Sequence, residues 1–418
     1  MPEQVSSLKT GVRFKDTPIG KIPLDWEVVK LRDVAKKFYN GGTPDTTNKD
    51  YWNGNIPWIT GADFDNQKVS QIRRYITAEG LRNSSSNLIP KGNILVVTRT
   101  GVGKVAIAPF DIAISQDITG VVLDEIKASP AFIYWHLVFN SIRLRTTIQG
   151  TSISGLLRGD LEILNFALPP LPEQKKIAEV LSTVDEAIGK TAQITEKTKK
   201  VKKGLMQKLL TQGIGHKKFK KTDNGDIPVD WKVGKLSDVA IITMGQSPPG
   251  NTYNTEGVGC PILNGPTEFT DYSPVPIQFT TQSTKVCKAQ DILFCVRGSS
   301  TGKMNIADQE YCIGRGISAI RGKMISNTKY IFFSLLNQTP KIFKEASGAG
   351  STFPNINNKA LEEIKFLIPP LGEQGKIADI LSFIDEELIR ASNHKKGLEA
   401  LKIGLMQVLL TGKIRVSV

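Results

Sequence analysis

Histidine and cysteine are scarce in this chain of 418 residues. There are three histidines (His136, His216, His394) and four cysteines (Cys260, Cys287, Cys295, Cys312). No two cysteines form a CxxC pair, and the histidines stand far from them in sequence, so the ligand spacing of a zinc site is missing. Buried free thiols in a reducing compartment are the expectation. Long apolar runs are missing too. With no run of about 18 apolar residues, no membrane span is expected. Met1 to Thr10 lacks the apolar core of a secretion signal, which makes the cytoplasm the expected compartment.

Credible catalytic constellations are also wanting. No paired-carboxylate, Ser-His-Asp or Cys-His arrangement stands out. Gly101-x-Gly103-x-x-Ala106 follows a strand as a dinucleotide fingerprint does, but another strand and Pro109 follow where a helix should start, so a hairpin is expected. Gly298 to Lys303 is one residue short of a P-loop and has Met304 where Ser or Thr is needed. Ser247-Pro248-Pro249-Gly250 imitates the Pro-Pro motif of adenine methyltransferases but has Gly in place of the stacking aromatic.

What the chain has in excess is positive charge, +14 net with a pI near 9.4. Such an excess attracts polyanions, of which nucleic acid is the usual one. It is concentrated: Pro172 to Thr222 holds 13 lysines against 5 acids.

The chain is also a duplication with a period of about 200 residues. Ile22-Pro23-Leu24-Asp25-Trp26 returns as Ile227-Pro228-Val229-Asp230-Trp231, and Leu168 to Ile188 matches Ile368 to Leu388 at 12 of 21 positions. Gly204-Leu205-Met206-Gln207 returns as Gly404-Leu405-Met406-Gln407. The C-terminal run Leu410 to Val416 and the N-terminal run Leu8 to Phe14 are joined in one stretch at Leu210 to Ile214. This predicts a cyclic arrangement in which the C-terminal segment lies beside the N-terminal one.

Each repeat begins with short β-rich runs punctuated by Gly and Pro. Asn93 to Arg99 and Asp291 to Arg297 read as buried strands, and helices are expected near Pro130 to Ile142 and Thr328 to Phe343. A long helix ends each repeat. Apolar residues recur at 4,3 spacing at Ile177, Leu181, Val184 and Ile188, weaken through Thr191, Thr195, Thr198 and Lys202, and resume at Leu205 and Leu209. The second copy has Ile377, Leu381, Ile384, Leu388, Leu405 and Leu409. A helix of about 38 residues spans roughly 57 Å. Two matched stripes predict an antiparallel coiled-coil pair. The fold expected is α+β, with two similar domains separated by a pair of long helices in a pseudo-twofold cycle. The expected boundaries are 1–170 and 213–370 for the domains, 171–212 and 371–412 for the helices, and 413–418 for a tail near the N-terminal segment.

The motif Leu168-Pro169-Pro170-Leu171-Pro172-Glu173-Gln174, its echo Ile368 to Gln374, the helix exits at Gly204 and Gly404 and the two Ile-Pro-x-Asp-Trp openings resemble type I restriction-modification specificity subunits. So do Gly41-Gly42-Thr43-Pro44 with Tyr51-Trp52 and Ile56-Pro57-Trp58, and Gly245-Gln246-Ser247-Pro248-Pro249. The resemblance covers essentially the whole chain, with Gly372 departing from Pro172 of the first copy. It implies a non-catalytic chain in which each arm is a target-recognition domain for one half of a split double-stranded DNA site. It implies helices that space the arms and dock two methyltransferase subunits, which supply S-adenosylmethionine and methylate adenine at N6. A restriction subunit, when present, adds ATP- and Mg-dependent translocation and cleavage.

Residues identical in both arms cannot by themselves read two different half-sites. Arg99 and Arg297, and Lys104 and Lys303, are therefore candidates for phosphate contacts, with a structural ion pair at a strand end as the alternative for the arginines. Divergent positions can specify bases: Thr43, Asp45, Thr60, Arg73, Arg74, Thr100 and Gln116 in the first arm, Gln246, Asn264, Ser299, Ser300 and Arg315 in the second. The lysines Lys197, Lys199, Lys200, Lys202 and Lys203 are candidates for the DNA backbone, a partner or plain solvent. Two other readings stand beside this one: a single-chain methyltransferase or nuclease with a divergent site, and a coiled-coil scaffold without DNA contact.

Overall fold

The computed structural model describes residues 8–9, 13–65, 67–146, 156, 158–223, 225–270, 273–347 and 354–417. Thr10 to Val12, part of the N-terminal run compared with the C-terminus above, lie outside them. The chain divides into two compact units, one made of 1–190 with 395–418, the other of 191–394.

In the first unit, an antiparallel sheet runs in the order Val105–Ile107, Ile94–Val97, Ile118–Leu123, Ala35–Asn40. Ile94 to Val97 are all buried, as their uninterrupted apolar run requires. One face packs on the helix Pro130–Thr146, through Phe132, Ile133 and Leu137. A second sheet runs Asn87–Ile89, Ile112–Ile114, Trp52–Ile59, Arg74–Ile76, with its central pair parallel. The Gly101/Gly103 segment joins Ile94–Val97 to Val105–Ile107 as a hairpin, both glycines at positive φ (+89° and +86°). It is a turn, not a helix start.

The second unit repeats the design. Its first sheet runs Ala240–Met244, Ile317–Gly322, Ile292–Cys295, Met304–Ile306. Its second runs Tyr253–Asn254, Gln278–Thr280, Cys260–Leu263, Tyr311–Ile313, Val286–Cys287, again with one parallel pair. The helix Thr328–Ser347 covers the first sheet and runs on past the expected Phe343.

The long helices span Leu171–Gln212 and Leu371–Leu409. Gly372 does not delay the second, which starts at the residue equivalent to Leu171. In the first unit, Ile177 and Leu181 of one helix share a core with Met406 and Leu409 of the other. In the second unit, Ile377 and Leu381 share a core with Met206 and Leu209. Lys402 pairs with Asp185 at 3.1 Å, and Lys202 pairs with Asp385. In each unit the start of one helix meets the end of the other, so the pairing is antiparallel. Val184, Leu205, Ile384, Leu388 and Leu405 are half-buried along the same stripes, while Ile188 is buried. The weak middle of the seam, at Thr191, Thr195 and Thr198, stays half-exposed.

Trp26 and Trp231 are fully buried. Trp26 Nε1 donates to Glu173 Oε2 at 3.2 Å, and Trp231 Nε1 donates to Glu373 Oε2 at 2.9 Å. Each Ile-Pro-x-Asp-Trp opening is thereby tied to the first turn of a long helix. The next residue, Gln174 or Gln374, also reaches back to the arm: Ser129 N donates to Gln174 Oε1 at 2.8 Å and Asn327 N to Gln374 Oε1 at 2.9 Å. Leu8–Lys9 pairs antiparallel with Arg415–Val416, with Leu8 opposite Val416. The C-terminal segment thus completes the N-terminal unit, which is the cyclic arrangement expected.

Candidate nucleic-acid interface

After the strand Ala35–Asn40, Gly41 N donates to Ile118 O and Gly42 N to Ile114 O. A Cβ on Gly41 would sit 1.8 Å from Ser115 O, so the chain passes here only as glycine. In the second unit Gly245 N donates to Ile317 O and Gln246 N to Ile313 O, which makes Gly41 equivalent to Gly245 and Gly42 to Gln246. Each turn delivers its next side chain to the segment linking two strands. Thr43 donates its hydroxyl hydrogen bond to Gln116, whereas Ser247 Oγ accepts from Arg315 N at 3.2 Å. Gln116, Gln246 and Arg315 are exposed. Ser247, read above only as part of a motif, is the residue that meets Arg315.

Asp45 accepts from the Thr47 amide at 2.9 Å and the Thr47 hydroxyl at 2.7 Å, which hold its carboxyl below the usual range. This closes a local turn. Thr60 and Arg73 meet at Asp63. Arg73 Nε lies 2.6 Å from Asp63 Oδ1, its Nη2 lies 3.0 Å from the Thr60 hydroxyl, and Thr60 N donates to Asp63 Oδ2 at 2.8 Å. Burial opposes ionisation of Asp63, but Arg73 and Thr60 outweigh it and hold the carboxyl below its ordinary value. Thr60 and Arg73 are committed to this network. Arg74, one residue on, is exposed and sits 5.7 Å over the Trp52 ring. It borders a 350 Å³ cavity shared with Thr46, Trp52, Asn53, Arg73 and Tyr75.

Arg99 and Arg297 are exposed, and neither has an ion-pair partner among the described residues. Thr100 is exposed beside Arg99, as are Ser299 and Lys303 near Arg297, while Ser300 is half-buried. Lys104 and Lys303 part company despite their alignment. Lys104 Nζ donates to Gly61 O and Phe64 O, both at 3.2 Å, and so fastens the Gly61–Asp63 turn to its hairpin. Asn264 packs under Gly314, where a Cβ would lie 2.3 Å from its Oδ1. Of the helix lysines, Lys202 is bound to Asp385 and lies 5.6 Å from the Phe333 ring centroid. Lys199 pairs with Glu196, and Lys197, Lys200 and Lys203 are exposed.

Burial pushes the thiols of Cys287 and Cys295 up to about 12, so both are protonated at neutral pH. Among the described residues, no group of three His, Cys, Asp or Glu could hold a metal ion, and no helix is long and apolar enough to cross a membrane.

The family model of the type I restriction modification DNA specificity domain matches the chain twice, at residues 23–200 and 228–399. A putative type I restriction enzyme specificity subunit of Methanocaldococcus jannaschii, MjaX, is 37% identical over 97% of each chain. The MjaVIII specificity subunit of the same organism is 28% identical over 97% of this chain and 96% of its own. The crystal structure of a type I restriction-modification S subunit from M. genitalium superposes with a TM-score of 0.63 at 17% identity, covering 92% of this chain and 96% of that one, and so shares the fold. Twice-matched, duplicated and closed by its own C-terminal segment, the chain belongs to the type I restriction-modification specificity subunits.

Proposed function

We propose that the chain reads an asymmetric, bipartite DNA target, one half-site per arm, and docks two methyltransferase subunits and, where the system has one, a restriction subunit. The observation that carries this reading is a shared backbone frame bearing different exposed polar groups. Gly41/Gly245 and the backbone hydrogen bonds of their turns repeat, while half-buried Thr43 with exposed Gln116 gives way to half-buried Ser247 with exposed Arg315. Unlike side chains on like frames suit two different base sequences. Arg99 and Arg297, alike in both arms and exposed, suit phosphate oxygens, and so does the exposed Lys303 of the second arm. Among the other candidates, Thr60, Arg73 and Lys104 act on the shape of the reading surface, since their polar atoms are already engaged.

Catalysis falls to the partners in this reading. They carry S-adenosylmethionine for adenine N6 methylation, and ATP and Mg for cleavage, and the target adenine leaves the base stack to reach them. The two half-sites lie about one helical turn apart. Mapping N6-methyladenine across the host genome with and without the gene, its partners expressed, tests the proposal. Loss of one bipartite motif is the expected result, and an unchanged map refutes it. Incubating the purified chain alone with DNA and labelled S-adenosylmethionine should transfer no label.

A further inference from the structure

We infer that Arg74 and Gln278 are the equivalent base-reading side chains of the two arms, Arg74 taking a guanine and Gln278 an adenine; the inference rests on the recognition reading above. Hydrogen-bond register fixes the equivalence. Trp58 and Ile59 lie opposite Ala113 and Ile114 in a parallel pair, as Ile262 and Leu263 lie opposite Cys312 and Ile313. On the other edge, Pro57 faces Tyr75 and Trp58 faces Arg74, while Pro261 faces Phe279 and Ile262 faces Gln278.

The surroundings repeat as well. A short 3-10 turn leads into each site, Lys49–Tyr51 in one arm and Gly250–Thr252 in the other. Its last carbonyl accepts from Thr77 N at 3.0 Å or Thr281 N at 3.1 Å. An aromatic residue follows in both: Trp52 opposite Ile76, and Tyr253 opposite Thr280. Residues two apart on a strand share a face, and so do cross-strand partners. Arg74 and Gln278 therefore lie on the same face as these aromatics. The frame is common and only the polar head changes.

The Arg74 head is exposed and the Gln278 head is half-buried. Arg74 has no carboxylate partner among the described residues, and Gln278 makes no side-chain hydrogen bond there. Arg73, just before the strand, is spent on Asp63. A guanidinium fork matches O6 and N7 of guanine; a carboxamide matches N6 and N7 of adenine. The Trp52 ring holds the Arg74 head in place, which lowers the entropic cost of engaging a base.

The test selects duplexes from a random library with the complex of this chain and its methyltransferase partner, wild type against R74Q, R74K and Q278R. The wild type should yield a bipartite consensus. R74Q should lose guanine preference at one position of one half-site by about 5- to 150-fold and leave the other half intact. Q278R should do the same to an adenine in the other half. R74K, which keeps the charge but not the fork, should retain affinity and lose the preference. An unchanged consensus in the variants overturns the inference, as does simultaneous loss of both halves with a lowered melting temperature. A wild-type complex with no bipartite consensus removes the recognition reading itself, a result distinct from either.

Discussion

Arg415 Nε lies 2.5 Å from Glu173 Oε1, across 242 residues of chain. The same guanidinium forks onto Asp25, with both bonds at 2.9 Å, and holds that carboxyl below its ordinary value. Glu173 is almost wholly buried, its second oxygen shared with Trp26. Arg415→Ala would strand this carboxylate. Breaking a buried pair costs about 3–5 kcal/mol; Arg415 keeps some access to water, so a loss of about 2–3 kcal/mol is expected. Urea unfolding followed by tryptophan fluorescence measures it.

Arg73 and Arg74 should separate stability from recognition. Arg73→Ala leaves the buried Asp63 carboxylate without its cation and should lower the melting temperature measurably. Arg74→Ala breaks no ion pair among the described residues and should leave the melting temperature within about 1–2 °C of wild type. Equal melting temperatures for both variants would show that the Asp63 network does not hold the second sheet together.

His136 is buried and packed between Phe132 and Phe166. Desolvation pushes its pKa down to about 3, only partly opposed by the Leu410 carbonyl. In the unfolded chain it takes a proton below about pH 6.5, while the folded chain does not, so stability falls as pH falls through that value. The expected slope is roughly 1.4 kcal/mol per pH unit at most, between about pH 6.5 and 4.5. Asp25 and Asp63, with lowered pKa values, contribute stability that is lost only at more acid pH. Urea midpoints for His136→Leu over this window should be flatter than wild type, and parallel curves would refute the assignment.

The exposed lysines of the first long helix offer a salt test. Replacing Lys197, Lys200 and Lys203 with Glu should weaken binding to all sequences alike and reduce the log–log salt slope by about 0.9 for each phosphate no longer neutralised. An unchanged slope assigns them to a solvated face. Lys202 belongs outside this set, because its ammonium is held by Asp385.

The helix pair was legible because 4,3 spacing is a direct image of helical geometry, and Ile177, Leu181, Ile377 and Leu381 are buried as it requires. The closure of the chain was legible because its two ends are joined in sequence at Leu210 to Ile214. Gln278 was not legible. The offset between the arms changes from 201 residues at Tyr51 and Thr252 to 204 at Trp58 and Ile262, and only the strand register restores the match to Arg74. Lys104 and Thr60 were singled out for DNA because residue type does not reveal an acceptor supplied by a distant backbone or carboxylate. Here those acceptors are Gly61 O, Phe64 O and Asp63.

The make-up of the two units also dictates an order of assembly on the ribosome. Residues 191–394 are contiguous, so the second arm holds all its own parts before 395–418 are made. The first arm lacks 395–418 until those residues are translated, on the order of 10 to 45 s after residue 190 is made at about 5–20 residues per second. Until then the core positions that Met406, Leu409 and Val416 fill stand open, and Glu173 waits without Arg415. The arm that is made first is therefore finished last, and it is the one a chaperone would have to hold.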